Sequence, residues 1–597
     1  MEATMQEKII TQLQESLEAI QLTSAKSLEL ALQVLAWVKL SSTGELSDDL
    51  SLSTTLLDEP SRLLQVLTRL AQEGDLIGQA FANGTDFGRL DPRLLQPALT
   101  LALRLDQAGM LKNFDPVRAI SSLSSKFSQE PDLPLEVTAL LAGLAGGLPG
   151  EGVYVPWDSR GTLAASVTSA DTDVYLESPI LSAVPALISL LSDHRFQVHY
   201  ADPIRNPSAV ENGQLRQFDV AVAFPPMGIR YSADVTNNDW FSRFPEKTTS
   251  GAVLAILHLL RQAKRRVVIA VSNSLLFSAG AERSLREDLV RQGKVEKVIS
   301  MPAGLLANTN IAFSILVLNP TGGLDKIQFI NADTAYFRES VSKAKCQMIN
   351  VDKLVTQIES NADTDNQVHA SVEDVLKNDA QLQVSRYVLP DTTKQLQALL
   401  NQSRTVVLKS LVSTVRPMPV TSQDDDSIGV WEIGAADLPP YGYISTPGRA
   451  LKVEPFALTK HAKQFLRPLD IVLIVKGSVG KVGIVPHDVP PPGADGWVAG
   501  QSAIVLRADA TDPIDPRALF LQLRSELGRE LLSGIVSGAT IQLIQLRELE
   551  RLEILLPDAA ICQQAIETLE KEARLQKEIN HLRQEQSLLA SDLWSLT

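Results

Sequence analysis

The stretch that decides the fold of this chain is Phe218-Asp-Val-Ala-Val-Ala-Phe-Pro-Pro-Met-Gly228. Its apolar, β-prone run from Val220 to Phe224 predicts a buried strand. Pro225 and Pro226 follow at once, and because proline cannot donate a hydrogen bond to a strand ladder, the strand must end there. Open α/β sheets place their ligand sites in the loops that follow such strands. The stretch therefore predicts a strand that ends at a functional loop.

Further short strands surround this one, and helical stretches separate most of them. Alternating strands and helices are typical of a parallel, doubly wound sheet, which we therefore predict. The last two strands lie close together in sequence, which allows the final strand to be antiparallel. The predicted strands are 152–156, 173–177, 196–200, 218–224, 266–271, 295–300 and 312–318, and the main intervening helices are 180–191, 251–262 and 281–292.

The regions on either side of this sheet differ from it in composition. Residues 1–130 carry apolar residues at helical spacing and predict a helical N-terminal domain with a packing or partner-binding role. Residues 131–345 hold the predicted α/β region, and the polar residues 346–404 are expected to form an extension and linker. Residues 405–556 are β-rich with many prolines and glycines, and residues 557–597 predict one long helix.

Composition limits the class of protein. A chain of 597 residues exceeds a single core, so several domains are expected. No apolar run reaches the ~18 residues of a membrane span, and the first residues lack the pattern of a secretory signal. Cys346 and Cys562 lie far apart and form no metal motif, so we expect a cytoplasmic protein without a metal site or membrane segment. The net charge of −15 argues against a chain covered in nucleic-acid contacts but allows a local basic groove.

The proline loop resembles the Asn/Asp-Pro-Pro-aromatic loop of DNA methyltransferases that methylate amino groups. Two later segments resemble modification subunits of type I restriction–modification systems, which are N6-adenine DNA methylases, and Ser385-Arg-Tyr-Val resembles the end of their methylase region. The resemblance covers about 130–390 and implies a Rossmann-like class I methyltransferase domain behind a helical front domain. The two segments are 271–286, which begins Val-Ser-Asn-Ser-Leu-Leu-Phe-Ser, and 298–319, which begins Val-Ile-Ser-Met-Pro-Ala-Gly-Leu.

The resemblance also implies residues for S-adenosylmethionine, which class I methyltransferases hold with a glycine-rich turn after the first strand. That turn, Val153-Tyr-Val-Pro-Trp-Asp-Ser-Arg-Gly161, keeps only Gly161 of the expected glycines. Glu177 ends the next strand, where the family has an acid for the ribose hydroxyls, and Asp202 matches a contact to the adenine. The alternative is that both acids merely cap strand ends. The implied cofactor-binding residues are Pro156, Asp158, Gly161, Glu177 and Asp202.

The implied catalytic loop, Phe224-Pro225-Pro226-Met227, departs from the family at both outer positions. In the family, the Asn or Asp side chain and a loop carbonyl accept hydrogen bonds from the amino group of a flipped adenine, and the aromatic residue stacks on that base. Phe224 has no acceptor, and Met227 has no flat ring. This degenerate loop favours a DNA-binding component of a DNA modification or anti-phage defence complex. The alternative is an active S-adenosylmethionine-dependent adenine-N6 methyltransferase that tolerates the unusual loop.

The C-terminal part resembles the specificity subunit of the same systems. Leu466-Arg-Pro-Leu-Asp-Ile-Val-Leu-Ile-Val-Lys-Gly-Ser-Val-Gly-Lys-Val-Gly-Ile-Val485 is similar to the core of its α/β target recognition domain, as are 498–506, 537–544 and 556–557. This implies a modification subunit fused to half of a specificity subunit, with double-stranded DNA and other restriction or defence subunits as partners. Basic residues crowd 449–481, where glycines allow close approach to phosphates, although a solvated surface is the alternative. The candidate DNA-binding residues are Lys460, Lys463, Lys476 and Lys481.

The final helix carries leucines seven residues apart, at 575, 582, 589 and 596. Ile579 and Leu593 form a second row, which Gln586 interrupts. A seven-residue repeat marks a coiled-coil seam, and a single helix cannot bury its own stripe. In specificity subunits, two recognition domains are joined by paired antiparallel helices. We therefore expect a homodimer through this helix, which would restore that arrangement. The alternative is packing on the chain's own helical front domain.

Overall fold

The structure is a computed structural model that divides into two compact units, residues 1–389 and 390–597. It describes all residues except 1–4, 84–86, 88–89, 125–132, 147–149, 246, 307–308, 343, 361, 390–395, 397–398, 401, 418–427, 446, 509–513, 538–542 and 592–597. Two members of the predicted leucine rows, Leu593 and Leu596, lie outside the described residues.

The first unit begins with a run of helices, as the apolar spacing predicts. They are α1 (Met5–Ser16), α2 (Ser24–Ser42), α3 (Thr54–Leu57), α4 (Pro60–Leu70), α5 (Asp75–Ala82), α6 (Gln96–Gln107), α7 (Pro116–Ser124) and α8 (Leu135–Ala145). The hydroxyl of Thr23 accepts the backbone N–H of Lys26 and caps α2. Every residue from Leu28 to Val38 is buried, so α2 is the central helix of this layer.

A nine-stranded sheet follows, in the order β13-β10-β8-β9-β7-β6-β1-β2-β3. Its strands are β1 (Gly152–Pro156), β2 (Asp173–Ser178), β3 (Gln197–Tyr200), β6 (Phe218–Ala223), β7 (Ala263–Ser272), β8 (Val295–Ser300), β9 (Phe313–Leu318), β10 (Lys326–Asn331) and β13 (Gln367–Ser371). Two short hairpins lie outside it: β4 (Val210–Glu211) with β5 (Gln214–Leu215), and β11 (Arg338–Ser342) with β12 (Lys345–Met348). The remaining helices are α9 (Thr162–Val167), α10 (Val184–Leu191), α11 (Asp234–Asn237), α12 (Gly251–Gln262), α13 (Ala281–Arg291), α14 (Val351–Glu359) and α15 (Val372–Lys377).

The sheet agrees with the α/β prediction and extends it. All seven predicted strands form, and β9 is antiparallel to both of its neighbours, β7 and β8. It lies inside the sheet because β10 adds on the far side of β8, parallel to it. The edge strand β13 comes from the stretch predicted as an extension and linker, so part of that stretch completes the sheet.

The N-terminal helices share a core with the sheet. Val153 and Val155 of β1 face the apolar cluster that contains α1, α2 and α10, whereas Tyr154 faces the cluster formed with α12 and α13. Polar contacts join the same layers, since the Lys39 ammonium donates to the Leu191 carbonyl at 2.8 Å. The boundary predicted at residue 130 therefore does not separate two compact units.

The second unit is built from short strands, as its composition predicts. Two small sheets have the orders β15-β21-β18-β19 and β17-β16-β20, and the pairs β14–β24 and β22–β23 are separate. The strands are β14 (Thr405–Val407), β15 (Ser413–Val415), β16 (Ile428–Ile433), β17 (Arg449–Val453), β18 (Ile471–Ile474), β19 (Val482–Ile484), β20 (Trp497–Ala499), β21 (Ala503–Arg507), β22 (Val536–Ser537), β23 (Leu543–Ile544) and β24 (Glu553–Leu555). The helices are α16 (Pro455–Lys460), α17 (Pro516–Arg524), α18 (Glu526–Ser533), α19 (Leu546–Glu550) and α20 (Ala559–Ser591).

Two kinds of feature, a membrane-spanning helix and a metal-binding cluster, are absent from the described residues. No helix there combines the length and hydropathy that a membrane span needs. Nor do the His, Cys, Asp and Glu side chains in those residues gather into a group that could hold a metal ion. Cys346 and Cys562 both carry free thiols.

Candidate functional site

The loops that carry the candidate site meet at one edge of the sheet. The strands β6, β1, β2 and β3 are parallel neighbours, so their carboxyl ends share this edge. Pro156 is paired with Glu177 in the sheet register, and the Phe224 loop follows the adjacent strand. The topology thus brings the predicted cofactor residues and the predicted catalytic loop to the same side of the sheet.

The turn after β1 is organised around the buried carboxylate of Asp158. Its Oδ1 accepts the backbone N–H groups of Gly161 at 2.9 Å and Arg160 at 3.3 Å, and its Oδ2 accepts that of Ala164 at 2.9 Å. Burial raises the pKa of the Asp158 carboxyl, and these backbone donors oppose the shift. Asp158 therefore caps α9, and it takes the N–H groups that a glycine-rich turn would direct at a ligand.

Gly161 is required by the turn and by its packing. Its φ of +78° is in the left-handed region that favours glycine. A Cβ atom here would lie 3.0 Å from Cζ of Phe196 and 3.1 Å from Cα of Pro185. The close approach that Gly161 permits is thus to the Phe196 side chain and the Pro185 backbone.

Glu177 is fully buried and bonded within the protein. Its Oε1 accepts from the backbone N–H and, at 2.7 Å, from the hydroxyl of Ser208. Its Oε2 accepts from the Tyr154 hydroxyl. Burial raises the pKa of the Glu177 carboxyl, whereas the donors from Ser208 and Tyr154 lower it. Ser208 thus donates twice to one oxygen of the carboxylate that the resemblance assigns to the ribose hydroxyls.

A directed chain of hydrogen bonds continues from Glu177 into the core. Nη1 of Arg243 lies 3.0 Å from Nδ1 of His258, and because arginine has no acceptor, Nδ1 must accept. Nε2 of His258 then carries the hydrogen and donates to the Tyr154 oxygen at 3.1 Å. Burial, together with the Arg243 guanidinium, holds the pKa of His258 well below its usual value. His258 is therefore neutral, and Tyr154 is free to donate to Glu177.

Arg243 fastens this network to two loops of the site. Its Nε donates to Asp239 at 2.9 Å, and its Nη atoms donate to the carbonyls of Pro203 at 2.9 Å and Ile204 at 2.7 Å. Pro203 and Ile204 follow β3, whereas Arg243 and Asp239 follow β6. The guanidinium thus ties together the loops that border the predicted cofactor and catalytic positions.

The other implied cofactor residues also have structural partners. Oδ1 of Asp202 accepts the backbone N–H groups of Ile204 at 2.9 Å and Arg205 at 3.2 Å, so this carboxylate caps its own turn. Pro156 is buried at the end of β1. The next residue, Trp157, has a φ of +63°, and its ring centre lies 6.2 Å from that of His258.

The predicted catalytic loop rests on the core. The Phe224 ring meets the Phe313 ring edge-on with centres 5.5 Å apart. Phe224 and Met227 are both half-buried against the same apolar cluster, Pro225 is buried and Pro226 is exposed. The two outer positions of the loop therefore contribute packing where the family has a hydrogen-bond acceptor and a stacking ring.

The candidate DNA-binding lysines are exposed and form two groups in the second unit. Lys476 and Lys481 lie in the turn between β18 and β19, and the Lys481 ammonium donates to the Ala435 carbonyl at 3.2 Å. Lys460 and Lys463 lie at the end of α16 and just beyond it. The nearby acid Asp470 is 2% exposed and is paired with Arg507 at 2.6 Å, so it does not offset these exposed positive charges.

Two exposed aromatic residues were missed by the sequence reasoning. Trp240 is 93% exposed in the loop that Arg243 anchors, and Phe456 is 72% exposed on the same short helix as Lys460. From sequence alone, a large aromatic residue is normally predicted to lie in the core. Only the tertiary structure shows that Trp240 and Phe456 are exposed.

Comparison with known proteins agrees with the resemblance of the first unit. Residues 180–395 match the N-6 DNA Methylase family model. The type I restriction enzyme MjaVII methylase subunit of Methanocaldococcus jannaschii is 25% identical over 233 residues, which are 36% of this chain and 40% of that relative. The chain thus spans less than half of that relative's length.

Solved structures show the same fold. The type I restriction–modification methyltransferase subunit from Streptococcus thermophilus matches with a TM-score of 0.56 at 17% identity, over 64% of this chain and 100% of that one. The type IIG restriction endonuclease BpuSI matches with a TM-score of 0.50 at 12% identity, over 94% of this chain and 74% of that one. The first unit therefore has a mixed α/β, methyltransferase-like fold.

Methyltransferases of this kind imply S-adenosylmethionine, and the contacts described above test whether it fits. Glu177, which the resemblance assigns to the ribose, has both oxygens bonded to Tyr154 and Ser208 and is 0% exposed. The turn amides are bonded to Asp158, and Phe196 and Pro185 pack against Gly161. The residues present do not fit the cofactor in the way that the resemblance assigns them.

Proposed function

We propose that this chain is a DNA-binding component of a DNA modification or defence complex, and that it has a methyltransferase fold but does not transfer methyl groups. The observation that carries the proposal is that Glu177, the acid that the resemblance assigns to the ribose, is fully buried and accepts three hydrogen bonds from Ser208 and Tyr154, so its carboxylate has no exposed face for a ribose hydroxyl. Phe224 supports it independently, because losing the acceptor that positions the reacting amino group costs orders of magnitude in rate.

The second unit is proposed to read DNA. Its resemblance to a target recognition domain is supported by the exposed turn with Lys476 and Lys481 and by the separate group Lys460 and Lys463. Phosphate contacts from such residues give affinity and orientation, whereas base-specific readout needs further side chains in a groove. Double-stranded DNA is therefore the proposed ligand.

Protein partners are also part of the proposal. The similar proteins are named as subunits of type I restriction enzymes, and this chain is proposed to assemble with further restriction or defence subunits. It is also proposed to pair with a second copy through α20, because one recognition domain reads one half-site and two copies would read two.

The experiment that tests the proposal measures three quantities on the full-length protein. We expect no heat of binding for S-adenosylmethionine in calorimetry, no methyl incorporation into varied DNA, and measurable DNA binding by fluorescence anisotropy. An active type I methylase serves as the positive control. Methyl incorporation above background would contradict the proposal and favour the alternative, an active adenine-N6 methyltransferase.

A variant with the family's loop residues tests whether the loop or the cofactor site prevents methyl transfer. In Phe224→Asn combined with Met227→Phe, the family's acceptor and aromatic ring are both present. We expect no gain of methyl transfer, because the engaged Glu177 still prevents cofactor binding. If this double variant methylates DNA, the cofactor site is competent and only the loop is degenerate.

A further inference from the structure

The C-terminal helix α20 has a packed half and an exposed half. In the packed half, Leu569 is fully buried, Glu570 accepts from the Tyr443 hydroxyl at 2.7 Å, and Glu572 pairs with Arg524 at 2.6 Å. Every residue from Lys577 to Leu589 is exposed within its unit. The helix therefore continues for several turns beyond the contacts that hold its first half.

The exposed half carries an apolar row with alternating steps of four and three residues. Leu575, Ile579, Leu582 and Leu589 are 49%, 42%, 56% and 74% exposed, and Gln586 occupies the remaining place in the row. This spacing places Leu575, Leu582 and Leu589 at d positions and Ile579 and Gln586 at a positions of a coiled coil. Such a row forms a seam only when a second helix covers it.

We infer that the row is covered by α20 of a second copy, parallel and in register. The inference rests on the self-association proposed above and adds its direction. The charged residues beside the seam carry it: Glu578 and Glu585 lie on one flank, at g positions, and Arg583 lies on the other, at an e position. In a parallel pair, each g residue faces the e residue five positions later in the other helix, so Glu578 meets Arg583 twice.

An antiparallel pair has the opposite electrostatics. In the antiparallel register that uses the whole described row, Ile579 lies opposite Leu582, and Leu575 lies opposite Gln586. Residues at g positions then face each other, which brings Glu578 of each helix next to Glu585 of the other on the same flank of the seam. Like charges at these positions oppose pairing, so charge complementarity selects the parallel arrangement.

Gln586 selects the same arrangement. In the parallel register, the two Gln586 side chains lie in one layer, where the carboxamide of each can donate to the other. In the antiparallel register, each Gln586 would lie against Leu575 without a polar partner. A buried polar residue at an a position also fixes register, so slipped parallel pairs are disfavoured too.

Parallel pairing has a consequence for the recognition units. The twofold axis runs along the coiled coil, and both second units lie at its N-terminal end. The length of the helix then does not set the distance between the two half-sites. In an antiparallel pair, by contrast, the helices would span from one recognition unit to the other and would set that distance.

Cysteine cross-linking tests the direction in the full-length chain. In a background of Cys346→Ser and Cys562→Ser, we expect Gln586→Cys and Leu575→Cys each to cross-link with themselves under mild oxidation, since identical positions meet in a parallel pair. Gln584→Cys, which points away from the seam, is the matched control. Cross-links that form only when the Leu575→Cys and Gln586→Cys proteins are mixed indicate antiparallel pairing and overturn the inference. A monomeric mass in light scattering, with no cross-link, overturns both the inference and the proposed self-association.

A charge reversal is a second, independent test, because it changes the dimer affinity in opposite directions for parallel and antiparallel pairs. Glu578→Arg creates two repulsive pairs in the parallel dimer, and we expect dimer dissociation to become roughly three- to tenfold easier. Adding Arg583→Glu restores the attraction and the affinity. In an antiparallel dimer, Glu578→Arg would remove the repulsion with Glu585 and tighten pairing, so a tighter dimer contradicts the inference.

Discussion

At the scale of single residues, the decisive feature is that polar groups expected to hold a ligand are bonded inside the protein. Ser208 lies 31 positions after Glu177 and supplies two of its three donors. A buried carboxylate is tolerated only when donors satisfy it, so this bonding also explains how Glu177 can be fully buried. Glu177 is therefore a structural part of the buried core.

Replacing Glu177 should therefore affect stability. Glu177→Ala leaves the Tyr154 hydroxyl and the Ser208 donors without their acceptor, so we expect a loss of about 2–4 kcal/mol in the free energy of unfolding. DNA affinity should stay within twofold of the original. Urea unfolding and anisotropy measure the two effects, and Glu359→Ala at an exposed position is the control. A stable variant with intact unfolding behaviour would argue that Glu177 is reserved for a ligand.

His258 predicts a pH dependence with a definite sign. Its pKa in the folded chain is far below the ordinary 6.5, so below that pH the unfolded chain takes up a proton that the folded chain does not. Stability is thus present above pH 6.5 and is lost as the pH falls, by at most about 1.4 kcal/mol per pH unit. We expect the loss between pH 7 and pH 5.5 to be smaller in His258→Gln, by urea unfolding at both values. Equal losses in the two proteins would exclude His258 as the cause.

At the scale of elements, the turn between β18 and β19 is the strongest candidate for phosphate contacts. It presents Lys476 and Lys481 next to Gly477 and Gly480, whose φ values of +82° and +86° are in the left-handed region that favours glycine. The two exposed ammonium groups on this turn can therefore approach a phosphate together.

Removing the two lysines should flatten the salt dependence of DNA binding. Each lost phosphate contact lowers the slope of log affinity against log salt by about 0.9, so Lys476→Ala with Lys481→Ala should lower it by about 1.8. Titrations at several salt concentrations measure the slope. Lys409→Ala, an exposed lysine outside this turn, should leave it unchanged. If the double variant keeps both affinity and slope, the DNA contacts lie on another element.

At the scale of the whole molecule, the chain consists of two units with separate cores. Leu187 is fully buried in the first unit, and Leu569 is fully buried in the second. The first core joins the N-terminal helices to the sheet, so those helices and the sheet should unfold together.

Two core substitutions test this organisation. Leu187→Ala and Leu569→Ala should each cost about 2–5 kcal/mol through lost burial and a cavity. We expect differential scanning calorimetry to show two transitions, with each variant lowering a different one. If both substitutions lower the same single transition, the two units unfold as one cooperative body.

The sequence by itself determined seven of the nine strands of the large sheet, their order of appearance and the edge of the sheet that carries the candidate site. These follow from local information, because an apolar run such as Val220–Phe224 and the prolines after it specify where a strand begins and ends. The exposed leucine row of α20 is local in the same sense, since helical spacing alone places Leu575, Ile579 and Leu582 on one face.

Only the tertiary structure decided what the site residues contact. The sequence places Glu177 at a strand end, but the donors that engage it come from Tyr154 and Ser208, and the chain behind them runs through His258 to Arg243. The tertiary structure also decided that the N-terminal helices share a core with the sheet and that β13 adds to the sheet edge. Each depends on how distant segments pack, and packing is selected by the burial of the whole core, which no single stretch of sequence encodes.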